Sequence, residues 1–295
     1  MDNLRGAAFM VFAMLCFALE DMLIKLMAVT LPIGQIVGML GIGSALLLAM
    51  VLVAQRQPLF DKSMLTLPIL MRALGELIGT VGFVTAIVLT PLSSASAILQ
   101  ATPLFVTLGA ALFLQESVGW RRWTAILVGF FGVLLIIRPG LEGFSWYSLF
   151  ALQGVVGLGI RDLATRRVPK ETSSLQLSFL AFLVLIPSAA ILMLFNGTSL
   201  AALSPTVWGY FIAALLIGIF AYYGIVAAMR VGEISFVTPF RYSRIIFALI
   251  IGISVFDEDP DALTLLGASI IVASGLYTLW RERRVKFDNV SANST

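Results

Sequence analysis

Residues 66–88 read TLPILMRALGELIGTVGFVTAIV, and this stretch decides the class of the fold. It carries only two charges, Arg72 and Glu76, four residues apart. A helix needs about 20 mostly apolar residues to cross the roughly 30 Å hydrocarbon core of a bilayer. A segment that crosses has to satisfy its own peptide groups, which a helix does. A charge at the centre of a span costs at least about 2.5–3.5 kcal/mol, so Arg72 and Glu76 should face each other or a cavity rather than lipid. Gly75, Gly79 and Gly82 lie near one face, where small residues let two helix backbones approach.

Nine further stretches of the same kind surround it, with helices expected at about 6–27, 32–54, 66–88, 93–114, 121–137, 145–166, 173–195, 206–228, 234–255 and 262–281. Leu31-Pro32, Gln57-Pro58, Thr90-Pro91, Arg138-Pro139-Gly140, Val168-Pro169, Asn196-Gly197 and Asp259-Pro260 supply turn chemistry between them. The 295 residues are 60% hydrophobic and 12% charged, with mean hydropathy +1.02. A soluble domain is roughly 25% charged, so this composition leaves too little polar surface for a water-soluble globule. The expectation is an all-α integral membrane protein of ten transmembrane helices, with no soluble domain.

The pI of about 9.2 does not signal nucleic acid, because the basic residues concentrate in the loops of one side. Arg56, Lys62, Arg121, Arg122, Arg166, Arg167, Lys170 and Arg230 lie there, whereas the other side holds Arg138 and the acidic Asp257, Glu258, Asp259 and Asp261. The excess of Lys and Arg places that side, and both termini, in the cytoplasm. The membrane expected is the inner (plasma) membrane. The start of the chain mimics a signal peptide, but Glu20 and Asp21 end the apolar run without a clear cleavage site, so it reads as a retained first helix. With one cysteine, Cys16, there is no intrachain disulfide, and with no histidine there is no imidazole base or ligand. No metal, no cofactor and no enzymatic activity are expected.

The two halves resemble each other. Around Gln115-Glu116-Ser117 the chain leaves a helix, turns and enters a small-residue helix with Gly129 and Gly132; around Asp257-Glu258-Asp259 it does the same before Gly267 and Gly275. The spacing from Glu116 to Glu258 is 142 residues, close to half the chain. Each half then holds five spans, and an odd number inserts the second half upside down relative to the first. The expected organisation is a first five-helix repeat over 1–140, a second, inverted five-helix repeat over 141–284 and a cytoplasmic tail over 285–295. Inverted repeats are characteristic of secondary transporters, which bind substrate between the repeats near the midplane.

Pro239-Phe240-Arg241-Tyr242, Phe247-Ala248, Val255 through Asp261, Leu266-Gly267 and Gly275-Leu276-Tyr277 resemble the second repeat of EamA-type transporters, in the drug/metabolite transporter superfamily. Phe17-Ala18 through Lys25 and Gln100 through Glu116 resemble the first repeat. The likeness is nearest to the aromatic amino acid exporter branch. It implies ten helices in two inverted repeats and export of small metabolites. The chain departs from that pattern at Glu20-Asp21.

Depth along the helices selects candidate site residues. At 1.5 Å per residue, Glu76 and Arg244 lie roughly 15 Å into their spans, and Glu20 roughly 21 Å. An amino acid is a zwitterion; Arg241 or Arg244 could hold its carboxylate, and Glu20 or Glu76 its ammonium. Gln100, Tyr222, Tyr223 and Tyr242 complete the expected substrate site. Pro103 and Pro239 each free a helical carbonyl beside it. Asp21, Lys25 and Arg72 are expected as coupling or ion-pair residues, through Asp21–Lys25 and Arg72–Glu76 pairs at i,i+4. Arg161 and Asp162 are expected to reach water by snorkelling, Trp146 and Tyr147 to anchor the outer interface, and Glu116 and Glu258 to tie helix ends. The function read from the sequence is export of amino acids, aromatic ones included, by alternating access. The alternative is export of drugs, nucleosides or other small metabolites. Its partners are a small-molecule substrate and the lipid bilayer, with a monomer sufficient for a pathway.

Overall fold

The computed structural model describes residues 2–113, 115, 119–141, 144–169, 171–231 and 234–292. Among them the regular structure is entirely helical. In chain order the helices are α1 (Asp2–Met27), α2 (Ile33–Ala54), α3 (Leu67–Leu89), α4 (Leu92–Leu99), α5 (Thr102–Phe113), α6 (Trp120–Ile137), α7 (Ser148–Thr165), α8 (Ser174–Asn196), α9 (Pro205–Val231), α10 (Ile234–Val237), α11 (Ser243–Phe256) and α12 (Ala262–Ala292). Short 3₁₀ turns occupy Lys62–Leu65 and Thr238–Tyr242. Nine segments among the described residues are long and apolar enough to span a membrane, counting α4 with α5 and Thr238–Tyr242 with α11 as one each. The tenth expected span, α7, has 18 residues and carries Arg161 and Asp162, which lower its hydropathy.

Two expected helices are broken. The segment expected at 93–114 divides at Gln100–Ala101 into α4 and α5. Pro103 has no N–H to give the Leu99 carbonyl, and the Thr102 hydroxyl donates to that carbonyl instead, at 2.6 Å. The freed carbonyl expected beside Pro103 is therefore already occupied. The segment expected at 234–255 begins as α10, tightens into the 3₁₀ turn at Pro239 and resumes as α11. The two breaks meet, because the Gln100 amide donates to the Arg241 carbonyl at 3.2 Å. The last helix continues past the expected 281 to Ala292.

Four helix pairs carry most of the packing: α3 on α7, α1 on α9, α2 on α8 and α6 on α12. Glycine sets their closeness. A methyl placed on Gly82 would stand 2.7 Å from both the Gly154 nitrogen and the Phe150 carbonyl oxygen, and one on Gly267 would stand 2.6 Å from the Gly132 oxygen. Gly34 and Gly41 face backbone atoms of α8 at 2.8 and 3.1 Å in the same way. Leu46, Leu127, Phe131, Ile246, Ile250 and Ile253 are each more than half exposed on the outside, the surface a bilayer would cover.

A Gly82→Ala substitution should therefore be destabilising by about 1–3 kcal/mol, because the facing backbone atoms cannot step aside. Gly209→Ala, where a methyl meets nothing within 4 Å, should be neutral or stabilising. Thermal unfolding of the purified protein in detergent compares the two; an unaffected Gly82→Ala protein would contradict this packing.

Candidate functional site

Helix ends at the side opposite the N-terminus are tied by two ionic clusters. In the first, the Glu258 carboxylate accepts from the Leu92 and Ser93 amides at 2.5 and 3.0 Å and from the Ser93 hydroxyl at 2.7 Å. Pro91, which precedes α4, offers no side-chain cap, so Glu258 from a distant loop supplies one. Lys25 joins it at 3.2 Å, donates to the Thr90 carbonyl at 2.7 Å and lies 5.0 Å from the Phe256 ring centre. The expected Asp21–Lys25 pair is not formed. Asp21 instead meets Arg244 of α11 and Lys25 meets Glu258 of the following loop, in surroundings poorer in water than an exposed helix face, where an i,i+4 pair gains only about 0.2–0.5 kcal/mol. Glu258 thus ties helix ends as expected, while Glu116 lies outside the described residues.

In the second cluster, Asp261 pairs with Arg138 and accepts from the Thr264 amide at 2.9 Å. The hydrogen bond from Arg138, then those from Thr264, hold the Asp261 carboxyl down at about 2.

Deeper in the bundle, two groups of charges lie on different helix pairs. Between α3 and α7, buried Glu76 meets Arg161 at 3.3 Å, and Arg161 meets Asp162 at 2.8 Å. Arg72 is buried beside them, 3.9 Å from Glu76, and donates to the Leu177 carbonyl at 3.1 Å. Two cations and two anions make this group formally neutral. Arg161 and Asp162, expected to snorkel, are instead part of it. Glu76 lies within reach of their helix, and a shared ion pair costs less there than separate exposure to lipid.

The other group joins α1 to α11. Asp21 is 4% exposed and binds Arg244 at 2.6 Å. The guanidinium lies between the Phe17 and Phe83 rings, 5.2 Å from each centre, an arrangement that favours the cation. Its Nε is buried without a hydrogen-bond partner among the described residues. Glu20 is half-buried beside Asp21 and makes no ion pair among the described residues. Its carboxylate adjoins Gly218 of α9, where a methyl would stand 2.9 Å from Oε1.

The remaining predicted residues divide. Arg241, half-buried, forms no ion pair among the described residues, and its carbonyl takes the amide of buried Gln100. Tyr242 is buried against Gly275 of α12, with its hydroxyl unpartnered among the described residues. Tyr222 is half-buried on α9. Tyr223 is 65% exposed on the outside of the bundle, so its expected place among the substrate ligands is corrected: the next residue along a helix turns about 100° away, and Tyr222 takes the inward side. Trp146 and Tyr147 are exposed ahead of α7. Gly218 and the Phe17–Phe83 clamp were missed by the sequence reading; a single glycine in an apolar helix carries no local mark of a carboxylate packed against it. A groove of about 300 Å³ between α6 and α12, lined by Trp120, Arg121, Thr124 and Tyr277 among others, contains none of the predicted residues.

A family model described as the EamA-like transporter family matches residues 4–138 and again 145–280. The chain belongs to the EamA-like transporter family. Among curated proteins, a riboflavin transporter of Vibrio cholerae is 30% identical over 66% of this chain, and the alignment spans 65% of that relative's length. An S-adenosylmethionine uptake transporter of Rickettsia bellii is 24% identical over 73% of each chain. A pseudopaline exporter of Pseudomonas aeruginosa is 28% identical over 91% of this chain and 94% of its own. A solved crystal structure superposes with TM-score 0.55 at 16% identity, covering 96% of this chain and 98% of the other, a likeness of fold. This EamA-like protein is thus a multi-pass membrane transporter, and these named relatives are transporters rather than enzymes.

The Asp261 carboxyl lies below its ordinary value of 3.8, so Arg138–Asp261 contributes stability that is present above about pH 4 and lost as pH falls toward 2. Asp261→Asn should lower the thermal midpoint at pH 7, and the gap from the parent protein should close as pH approaches 2. A gap that stays constant across that window would contradict the pairing.

Proposed function

We propose that this EamA-like protein exports amino acids, and metabolites built on an amino-acid group, from the cytoplasm across the inner membrane by alternating access. The observation that carries this reading is the polar group on α1 and α11. It holds a clamped cation, Arg244, and a carboxylate, Glu20, that has no ion pair among the described residues, at a depth where lipid would penalise both. Arg241 and Arg244 recognise the carboxylate of the solute, Glu20 its ammonium, and Gln100, Tyr222 and Tyr242 shape the space between. Asp21 holds Arg244 in place. Arg72, Glu76 and Arg161 hold α3 and α7 together, so Arg72 and Glu76 support the site rather than enter it.

Alternating access follows from two inverted five-helix repeats, 1–140 and 141–284, with 285–295 as a cytoplasmic tail and both termini cytoplasmic. Two facts support this arrangement. The family model matches once in each half. The packing also keeps its pattern when the halves are exchanged: α1 on α9 becomes α7 on α3, while α2 on α8 and α6 on α12 map onto themselves. One copy of the chain then contains a complete pathway. Export as the direction is supported by the pseudopaline exporter, which aligns over nearly the whole of both chains.

A second reading, uptake of riboflavin or S-adenosylmethionine, is favoured by the names of the other relatives. Reconstituted vesicles loaded with labelled phenylalanine, other amino acids, riboflavin or S-adenosylmethionine separate the two. The expected result is saturable movement of amino acids, cut at least about tenfold by Arg244→Ala, a loss of about 1.4 kcal/mol in recognition. Movement of riboflavin or S-adenosylmethionine without amino acids would establish the second reading, and movement of no solute would contradict both.

A further inference from the structure

The contacts of two glycines give a register between the two halves. Gly82 of α3 abuts the Phe150 carbonyl of α7, and Gly224 of α9 abuts the Phe9 carbonyl of α1. Six residues before each glycine stand Glu76 and Gly218, and eleven residues after each phenylalanine stand Arg161 and Glu20. The next residue is aspartate in both, Asp162 and Asp21. In one half, the facing positions hold an ion pair, Glu76 with Arg161. In the other, they hold a glycine and a carboxylate, Gly218 against Glu20. The cation has been replaced by an anion, and the side chain that faced it has been removed.

The charge balance follows. Arg72, Arg161, Glu76 and Asp162 sum to zero. In the other half Arg244 is committed to Asp21 at 2.6 Å, and Glu20 makes no ion pair among the described residues. A carboxylate held this deep without a countercharge is costly unless a cation arrives, water reaches it or it takes up a proton. The missing side chain at Gly218 lets the Glu20 carboxylate pack against the α9 backbone, and Glu20, unlike Asp21, keeps accessible surface.

We infer that Glu20, packed against Gly218 where the other half places an ion-pair partner, is the subsite for a cationic nitrogen of the substrate, and that the solute completes the ion pair which the other half of the protein makes with its own residues. The inference rests on the transport reading above and deepens it: the ammonium of the solute is placed at Glu20 and not at Glu76, and a solute without a cation is excluded. Glu76 is saturated by Arg161 and Arg72, so it has no charge left to offer.

The test uses the full-length protein in liposomes and counterflow of labelled phenylalanine, with three competitors. These are phenylalanine, phenylalaninamide (ammonium kept, carboxylate removed) and N-acetylphenylalanine (carboxylate kept, ammonium removed). The parent protein should accept the two that carry the ammonium and discriminate at least about tenfold against the acetylated one, a difference of about 1.4 kcal/mol. Glu20→Gln should lose that discrimination, and Glu20→Asp, which keeps the charge, should retain most of it. Should Glu20→Gln not fold, Gly218→Val provides the second variant: a side chain that crowds the Glu20 carboxylate should weaken the discrimination in a protein that still elutes as a single species. Equal competition by N-acetylphenylalanine in the parent, or discrimination preserved in Glu20→Gln or Gly218→Val, overturns the inference. Movement of riboflavin but none of the phenylalanine series overturns it while leaving the protein a transporter; movement of nothing removes the transport reading as well.

Discussion

Hydrocarbon offers no partner to a charge or to an open peptide group, and the whole molecule is arranged around that constraint. At the interruptions of the helical ladder among the described residues, a polar group from nearby or from a distant segment takes the open position. The Thr102 hydroxyl takes the carbonyl that Pro103 leaves open, the Gln100 amide takes the carbonyl of Arg241, and Glu258 caps the amides at the start of α4. The charges within the spans obey the same rule through ion pairs, a backbone carbonyl or an aromatic clamp. Glu20 and Arg241 are the departures: each is half-buried and makes no ion pair among the described residues, a cost that water, a ligand or, for Glu20, a proton relieves.

The same scaffold serves two purposes in this account. Close backbone contact through glycine fixes α3 on α7, and the Arg72, Glu76, Arg161 and Asp162 group locks that pair. The α1–α9 pair has the same small-residue contact at Gly224, yet carries Glu20 against Gly218 where the lock would be. A transporter needs one part of the bundle to stay together and another to receive a solute. A difference of two side chains at matching positions suffices to separate these roles without altering the helix packing.

Much of this was legible in the chain. The apolar runs located the spans, since length and hydropathy are local properties, and the prolines located most of the turns. Arg72, Glu76, Asp21 and Arg244 stood out because any charge in such a run needs an explanation. The choice of partner was not legible. Asp21 and Lys25 stand four apart and could have paired on one helix face, but which residue each meets depends on α11 and on the 257–261 loop, more than 200 residues away. The breaks at Gln100–Ala101 and Thr238–Tyr242 were only half visible: the prolines mark them and the Thr102 hydroxyl is local, but the Gln100 amide reaches Arg241 only through tertiary placement. Gly218 was invisible, because its role is the side chain it lacks.

The most direct measurement is the reactivity of a cysteine placed at Gly218, against the Glu20 carboxylate. In a Cys16→Ser background, Gly218→Cys should react with small methanethiosulfonate reagents from the aqueous phase, faster with a cationic reagent than with an anionic one of similar size, and a bound amino acid should slow the reaction. A thiol that stays unreactive until the protein is unfolded, or one that reacts equally with both reagents, would contradict a water-reached carboxylate between α1 and α9 and with it the account of how this protein recognises its solute.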